Sequence, residues 1–232
     1  MATLFYESLT RSISTERLAA YKVYPCEPKQ QVFERYFWNL ALARDFYPLL
    51  QNLEISLRNN INSEAARLYR TEYWFDLPFM RDRQADEVRN ARDTVARYKG
   101  IAPPRVNAGA IIAELNFGFW VNLFNRPYSG FFTKISSGVF SSVPKSLRTI
   151  IFLRARLDNI RRFRNRVFHH EPIWNNPKLT DMHNEILETI YWIDPVLYDI
   201  THTMSSFKDT LAAGIQPLGT ERNQRASRPS AS

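Results

Sequence analysis

The chain has 232 residues, enough for one large domain or two small ones; 44% are hydrophobic and 14% aromatic, which excludes a chain disordered throughout. Its net charge is +8, carried by 24 Arg against 7 Lys, and the planar fork of Arg fits phosphate bidentately, so the balance leans towards a polyanionic partner. The lone Cys26 rules out an intramolecular disulfide and any multi-cysteine metal site, the opening "MATLFYESLTRSISTERL" is too polar for a signal peptide, and no apolar run approaches the ~20 residues of a membrane span. The expected location is the cytoplasm, with no membrane partner.

Helix signals dominate along the chain. "ISTERLAAYKVY" can start a short helix at Ser14 or Thr15. Residues 29–70 then carry apolar positions at helical spacing, with Pro48 opening a second segment, as Pro does at a first helical turn. "WFDLPF" breaks the pattern. "DRQADEVRNARDTVARYKG" is a more polar helix ending before Gly100, and Asn107 is a good N-cap for "AGAIIAELNFGFWVNLF", which reads as one nearly all-apolar helix. Residues 125–143, rich in Gly and Ser, read as a long loop with short structured pieces. A helix from near Pro144 runs to His169 and His170, and a last one is interrupted at Pro195. No alternating run of strand length and no internal repeat is present. The expected fold is all-α, a helical bundle over residues 1–205 followed by a disordered basic tail over 206–232.

The chemistry concentrates in "RFRNRVFHHEPIW", residues 162–174. With 24 Arg and 4 His in the chain, chance supplies about 0.4 Arg–His pairs at any single spacing, so spacing alone decides nothing. Position adds more. The buried stripe of this helix runs from Leu153 through Leu157, Ile160 and Phe163 or Arg164 to Val167 and Phe168. Arg164 thus lies in or beside an apolar seam, where an unpaired guanidinium costs several kcal/mol, and needs a carboxylate or an admitted anion. Glu54, framed by Leu50, Leu57 and Ile61, faces inward and is the expected partner, with Arg58 one turn on. Asn165 and His169 are four apart on a neighbouring face, and Arg161, Arg162 and Arg166 adjoin it. A bundle-ordering ion pair and a histidine cap are the bland alternatives. No metal is expected: adjacent helical histidines splay roughly 100° apart, and no H-E-x-x-H spacing or cysteine set accompanies them.

"STERLAAY", "NLEISLRNNI", "AELNFGFWVNLF" and "RNRVFHHEPIW" resemble, in this order, the blocks of Abi-like (abortive infection bacteriophage resistance) proteins of the HEPN superfamily, over roughly residues 14–200. The resemblance implies a HEPN-type helical fold and a metal-independent endoribonuclease serving phage defence or acting as a toxin. The superfamily motif is Arg, a polar residue, then His after four to six intervening positions. Arg164, Asn165 and His169 fit with four, and His170 fits with five. Partnered HEPN toxins often carry a Tyr two residues beyond the His. Glu171 or Pro172 stands there, which argues against a nucleotidyltransferase antitoxin and leaves any antitoxin unidentified.

The chemistry suits these residues. RNA supplies its own 2′-hydroxyl as nucleophile, so only proton transfers and charge stabilisation are needed. Imidazole titrates near ~6.5 and serves as acid or base close to neutrality. Arg164 would hold the scissile phosphate and Asn165 would orient substrate or His169, with Arg161, Arg162 and Arg166 holding flanking phosphates and Glu54 and Arg58 in support. One motif per chain favours a homodimer that pairs two motifs in one cleft; His170 as the second group is the monomer alternative. No cofactor is expected. A non-catalytic HEPN domain binding RNA or a nucleotide, and a purely structural partner-binding helical protein, are the other classes.

Overall fold

The computed structural model describes residues 2–218, and among them every regular element is helical. In order these are α1 (Ala2–Ile13), α2 (Thr15–Ala19), α3 (Lys29–Tyr69), α4 (Asp82–Lys99), α5 (Ala108–Glu114), α6 (Phe117–Asn122), α7 (Ser129–Val139), α8 (Ile150–Phe168), α9 (Leu179–Ile193), α10 (Pro195–Met204) and α11 (Phe207–Ala213). Short 3₁₀ turns stand at Trp74–Asp76, Pro103–Arg105 and Arg126–Tyr128. None of the described helices is long and apolar enough to cross a membrane.

The chain sorts into two compact units. Of the described residues, the first gathers 2–47, Arg166–Leu179 and 205–218; the second gathers Pro48–Asn165 and Thr180–Met204. In the first unit Leu18, Tyr21, Val32 and Phe33 form a buried core, covered by Tyr6, Leu9 and Ile13 of α1, by Tyr36, and by Trp174. Ser14 caps α2 by accepting from the Arg17 backbone N–H at 3.2 Å. α11 packs Phe207 against Phe46, with ring centroids 4.9 Å apart, and its Thr210 carbonyl accepts from the Trp38 indole at 3.3 Å. The helical chain therefore continues beyond residue 205, where a tail was expected, because Phe207 is fully buried. The expected basic tail from residue 219 on lies outside the described residues.

In the second unit Trp74 stacks on Phe131 and meets Trp120 at a tilt in the core, and the Trp74 indole donates to Asn62 of α3 at 2.8 Å. The Arg156 guanidinium of α8 lies 4.1 Å from the ring centre of Trp192 of α9 and donates to Thr189 at 2.8 Å. α4 ends as expected, with Gly100 in the left-handed region at φ 61°.

Four further expectations are corrected. α3 runs unbroken through Pro48 over 41 residues. Losing one helical hydrogen bond and crowding the preceding turn costs about 3 kcal/mol, but Leu42, Phe46, Leu49, Leu50, Leu53 and Leu57 are all buried on this helix. Residues 129–139, expected in a loop, form α7, because Phe131, Phe132, Ile135 and Val139 make a buried helical stripe that outweighs the poor propensity of Gly and Ser. The single apolar helix from Asn107 is two: α5 is capped by Asn107, then Leu115 turns extended and Asn116 caps α6 by accepting from the Phe119 N–H at 3.0 Å. Gly118 leaves room for that cap, since a Cβ there would meet Asn116 Oδ1 at 3.0 Å. Finally, α8 begins at Ile150 rather than Pro144, with the Thr149 hydroxyl accepting from the Phe152 N–H at 3.2 Å.

Candidate functional site

Arg164 and Asn165 are the last residues that α8 contributes to the second unit. There Phe163 is buried and Arg164 is half-buried beside it, facing Glu54 of α3, which sits between the fully buried Leu53 and Leu57. Nε and Nη2 of Arg164 lie 3.3 and 3.2 Å from the same carboxylate oxygen, Glu54 Oε2. The side chains keep 23% and 20% of their exposure, so the pair is shielded but reachable by solvent. The inward-facing pair expected from the helical phases of the two segments is therefore present. Arg58 does not join it; its guanidinium donates to Asn59 at 3.4 Å and to the Ala113 carbonyl at 3.5 Å. Arg161 and Arg162 both pair with Asp158, at 2.7 and 3.2 Å, and Asn165 is half-buried.

The first unit holds the rest of the motif, and here the backbone explains the sequence. The Glu171 N–H donates to the Arg166 carbonyl at 2.8 Å and the His170 N–H to the Val167 carbonyl at 3.1 Å. This is a Schellman ending, the 6→1 and 5→2 pair that closes a helix through one left-handed residue. That residue is His170, at φ 58°, where glycine is the usual occupant. His169 precedes it, and both rings are exposed. The Arg166 guanidinium donates to the Pro172 carbonyl and lies 3.6 Å from the Glu171 carboxylate, tying the turn across its base.

Residues missed by sequence reasoning hold the turn from outside. Arg17, in the "STER" block, donates to the His170 carbonyl at 2.5 Å. Asn39, buried on α3, accepts from the backbone N–H groups of Ile173 and Trp174 at 2.7 and 3.1 Å. The only available sign was two polar residues flanking apolar stripes far from the histidines in sequence. Between these anchors lies a cavity of about 430 Å³, lined among others by Arg17, Tyr21, Tyr36, Asn39, His170 and Glu171. Burial, and then the neighbouring Tyr36, raises the Tyr21 phenol above its ordinary value against smaller opposing effects of Arg17 and Asn39, so it remains a donor.

Among the described residues no group of three or more His, Cys, Asp or Glu is arranged to hold a metal ion. The arrangement offers exposed imidazoles on a pinned turn, and a guanidinium oriented by a carboxylate.

No curated protein and no solved structure matches the chain. The family model described as "Abi-like protein" matches residues 12–175, a span that contains Arg17, Glu54, Arg164 and both histidines. The chain belongs to the Abi-like protein family.

Proposed function

We propose that the protein is a metal-independent endoribonuclease of the HEPN type, acting in phage defence by abortive infection or as a toxin. Family membership supports the defence role. The observation that carries the chemistry is the Arg164–Asn165–His169 spacing, with its arginine oriented by Glu54 and its histidines exposed on a pinned turn. His169 removes the 2′ proton of RNA, and the 2′ oxygen attacks the adjacent phosphorus. The bond to the 5′ oxygen breaks, and that oxygen takes a proton from a second imidazole. The products are a 2′,3′-cyclic phosphate and a 5′-hydroxyl. Arg164 stabilises the extra charge on the phosphate, and Arg161, Arg162 and Arg166 exchange their carboxylates for flanking phosphates, since ion pairs open to solvent, as these are in part, contribute only ~0–1 kcal/mol.

Two acid–base groups are required. A homodimer presenting two motifs to one RNA provides them, and His170 is the alternative within one chain. End-group chemistry tests the mechanism: with excess EDTA present, the purified chain should still convert single-stranded RNA to fragments ending in 2′,3′-cyclic phosphate and 5′-hydroxyl. Fragments with 5′-phosphate, or cutting that needs an added divalent ion, would overturn it.

The Glu54 contact also favours a second reading, a non-catalytic RNA-binding domain, because it places a negative charge against the arginine that would meet the phosphate. Such a domain would bind RNA, leave it intact, and tolerate His169→Ala.

A further inference from the structure

His169, the proposed base, does not line the cavity beside His170, and that cavity's composition is specific. Tyr36, Leu40 and Ala43, at i, i+4 and i+7 of α3, share one helical face and line it together, with Ile13 and Val167 adding apolar surface. The Tyr36 ring meets that of Tyr21 edge to face at 5.3 Å. The cavity's polar lining has both senses: the Arg17 guanidinium, which gives one N–H to the His170 carbonyl, donates, and the Glu171 carboxylate accepts. A bare phosphate is poorly served by a cavity with a carboxylate and an apolar wall. A purely apolar ligand would use none of these polar groups. A flat heteroaromatic ring with donors and acceptors on its edge satisfies both halves, and about 430 Å³ falls within the ~300–1,000 Å³ typical of small-ligand sites.

We infer that this cavity is a subsite for one unstacked nucleobase of single-stranded RNA, held against the α3 face that carries Tyr36, Leu40 and Ala43. The inference rests on RNA being the ligand of the histidine-bearing turn. Single-stranded RNA is recognised by splaying bases onto aromatic and apolar surfaces and reading their edges. A turn that presents His170 in a costly left-handed conformation, clamped by Arg17, is a fitting floor for such a pocket.

The test is a coupling measurement by fluorescence anisotropy on the full chain carrying His169→Ala, which prevents cutting. The ligand is a short single-stranded RNA in which one abasic residue is walked through each position. At one position the abasic RNA should bind at least about fivefold more weakly, the lower end of what one stacked base contributes. Adding Ala43→Phe, which fills the cavity, should weaken the intact RNA as much and leave the abasic RNA no weaker still. Leu40→Ala, at a residue 41% exposed and so harmless to folding, should show the same coupling at smaller size if Ala43→Phe melts early. Losses that multiply, no sensitive position, or no RNA binding would each overturn the subsite. Cleavage by the unmodified chain, followed in parallel, separates the two ideas. Coupling without cutting overturns the nuclease and keeps the subsite, whereas cutting without coupling does the reverse.

Discussion

At the scale of single residues, shielded charges need partners. Arg164 is oriented by one carboxylate oxygen of Glu54 in a shielded setting, between the exposed-pair limit and the fully buried one. Glu54→Gln should therefore cost about 1–2 kcal/mol of stability and lower cleavage by releasing the guanidinium, both measurable by thermal melting and a cleavage assay. Unchanged values in both would show the pair to be idle. Glu27 supplies a pH test. Burial raises its carboxyl, but the Val23 N–H, the paired Arg35 and Lys22 together outweigh that and leave it below its ordinary 4.5. A depressed carboxyl contributes stability that is present above the unfolded value and lost as pH falls through the folded one. The melting temperature should drop as pH goes below 4.5, and Glu27→Gln should flatten that limb. The Glu54–Arg164 pair was legible from the sequence, because two helical phases placed both residues on inward faces. Arg17 and Asn39 were not legible, since their partners are backbone groups, which leave no trace in residue type.

At the scale of elements, the turn after α8 joins structure to chemistry. His170 serves as the left-handed residue of the Schellman ending, so the bland reading of a histidine as a helix cap is literally true of its backbone. His170→Gly removes the conformational cost and should gain about 1 kcal/mol, a rise of roughly 2–4 °C in Tm for a chain of this length. If His169 is the base, the variant should keep cutting in a stability-matched assay. A stabilised but inactive protein would instead make His170 the essential group. Helix caps with side-chain acceptors, such as Ser14 and Asn107, were readable from sequence. The splitting of α5 from α6 was not, because an apolar run has one helical appearance whether or not Asn116 turns the chain. Pro48 misled for the opposite reason: its local preference for a helix start is overridden by the buried leucines around it.

At the scale of the whole molecule, the all-helical class follows from periodicity, while the grouping of distant segments into two units could not be read from one chain. Proton transfer by one motif needs a second, so the active species should be a homodimer of twice the 27.2 kDa chain mass in light scattering. Full activity in a species of 27.2 kDa would assign the second proton transfer to His170. The most direct measurement of the central claim is cleavage of single-stranded RNA in excess EDTA by three proteins: the unmodified chain, Arg164→Ala and His169→Ala. The account predicts cutting by the first and at least ~10²-fold less by each variant, the range for a lost general base or oxyanion donor. Cutting by His169→Ala at the full rate, or by none of the three without a divalent ion, would contradict it.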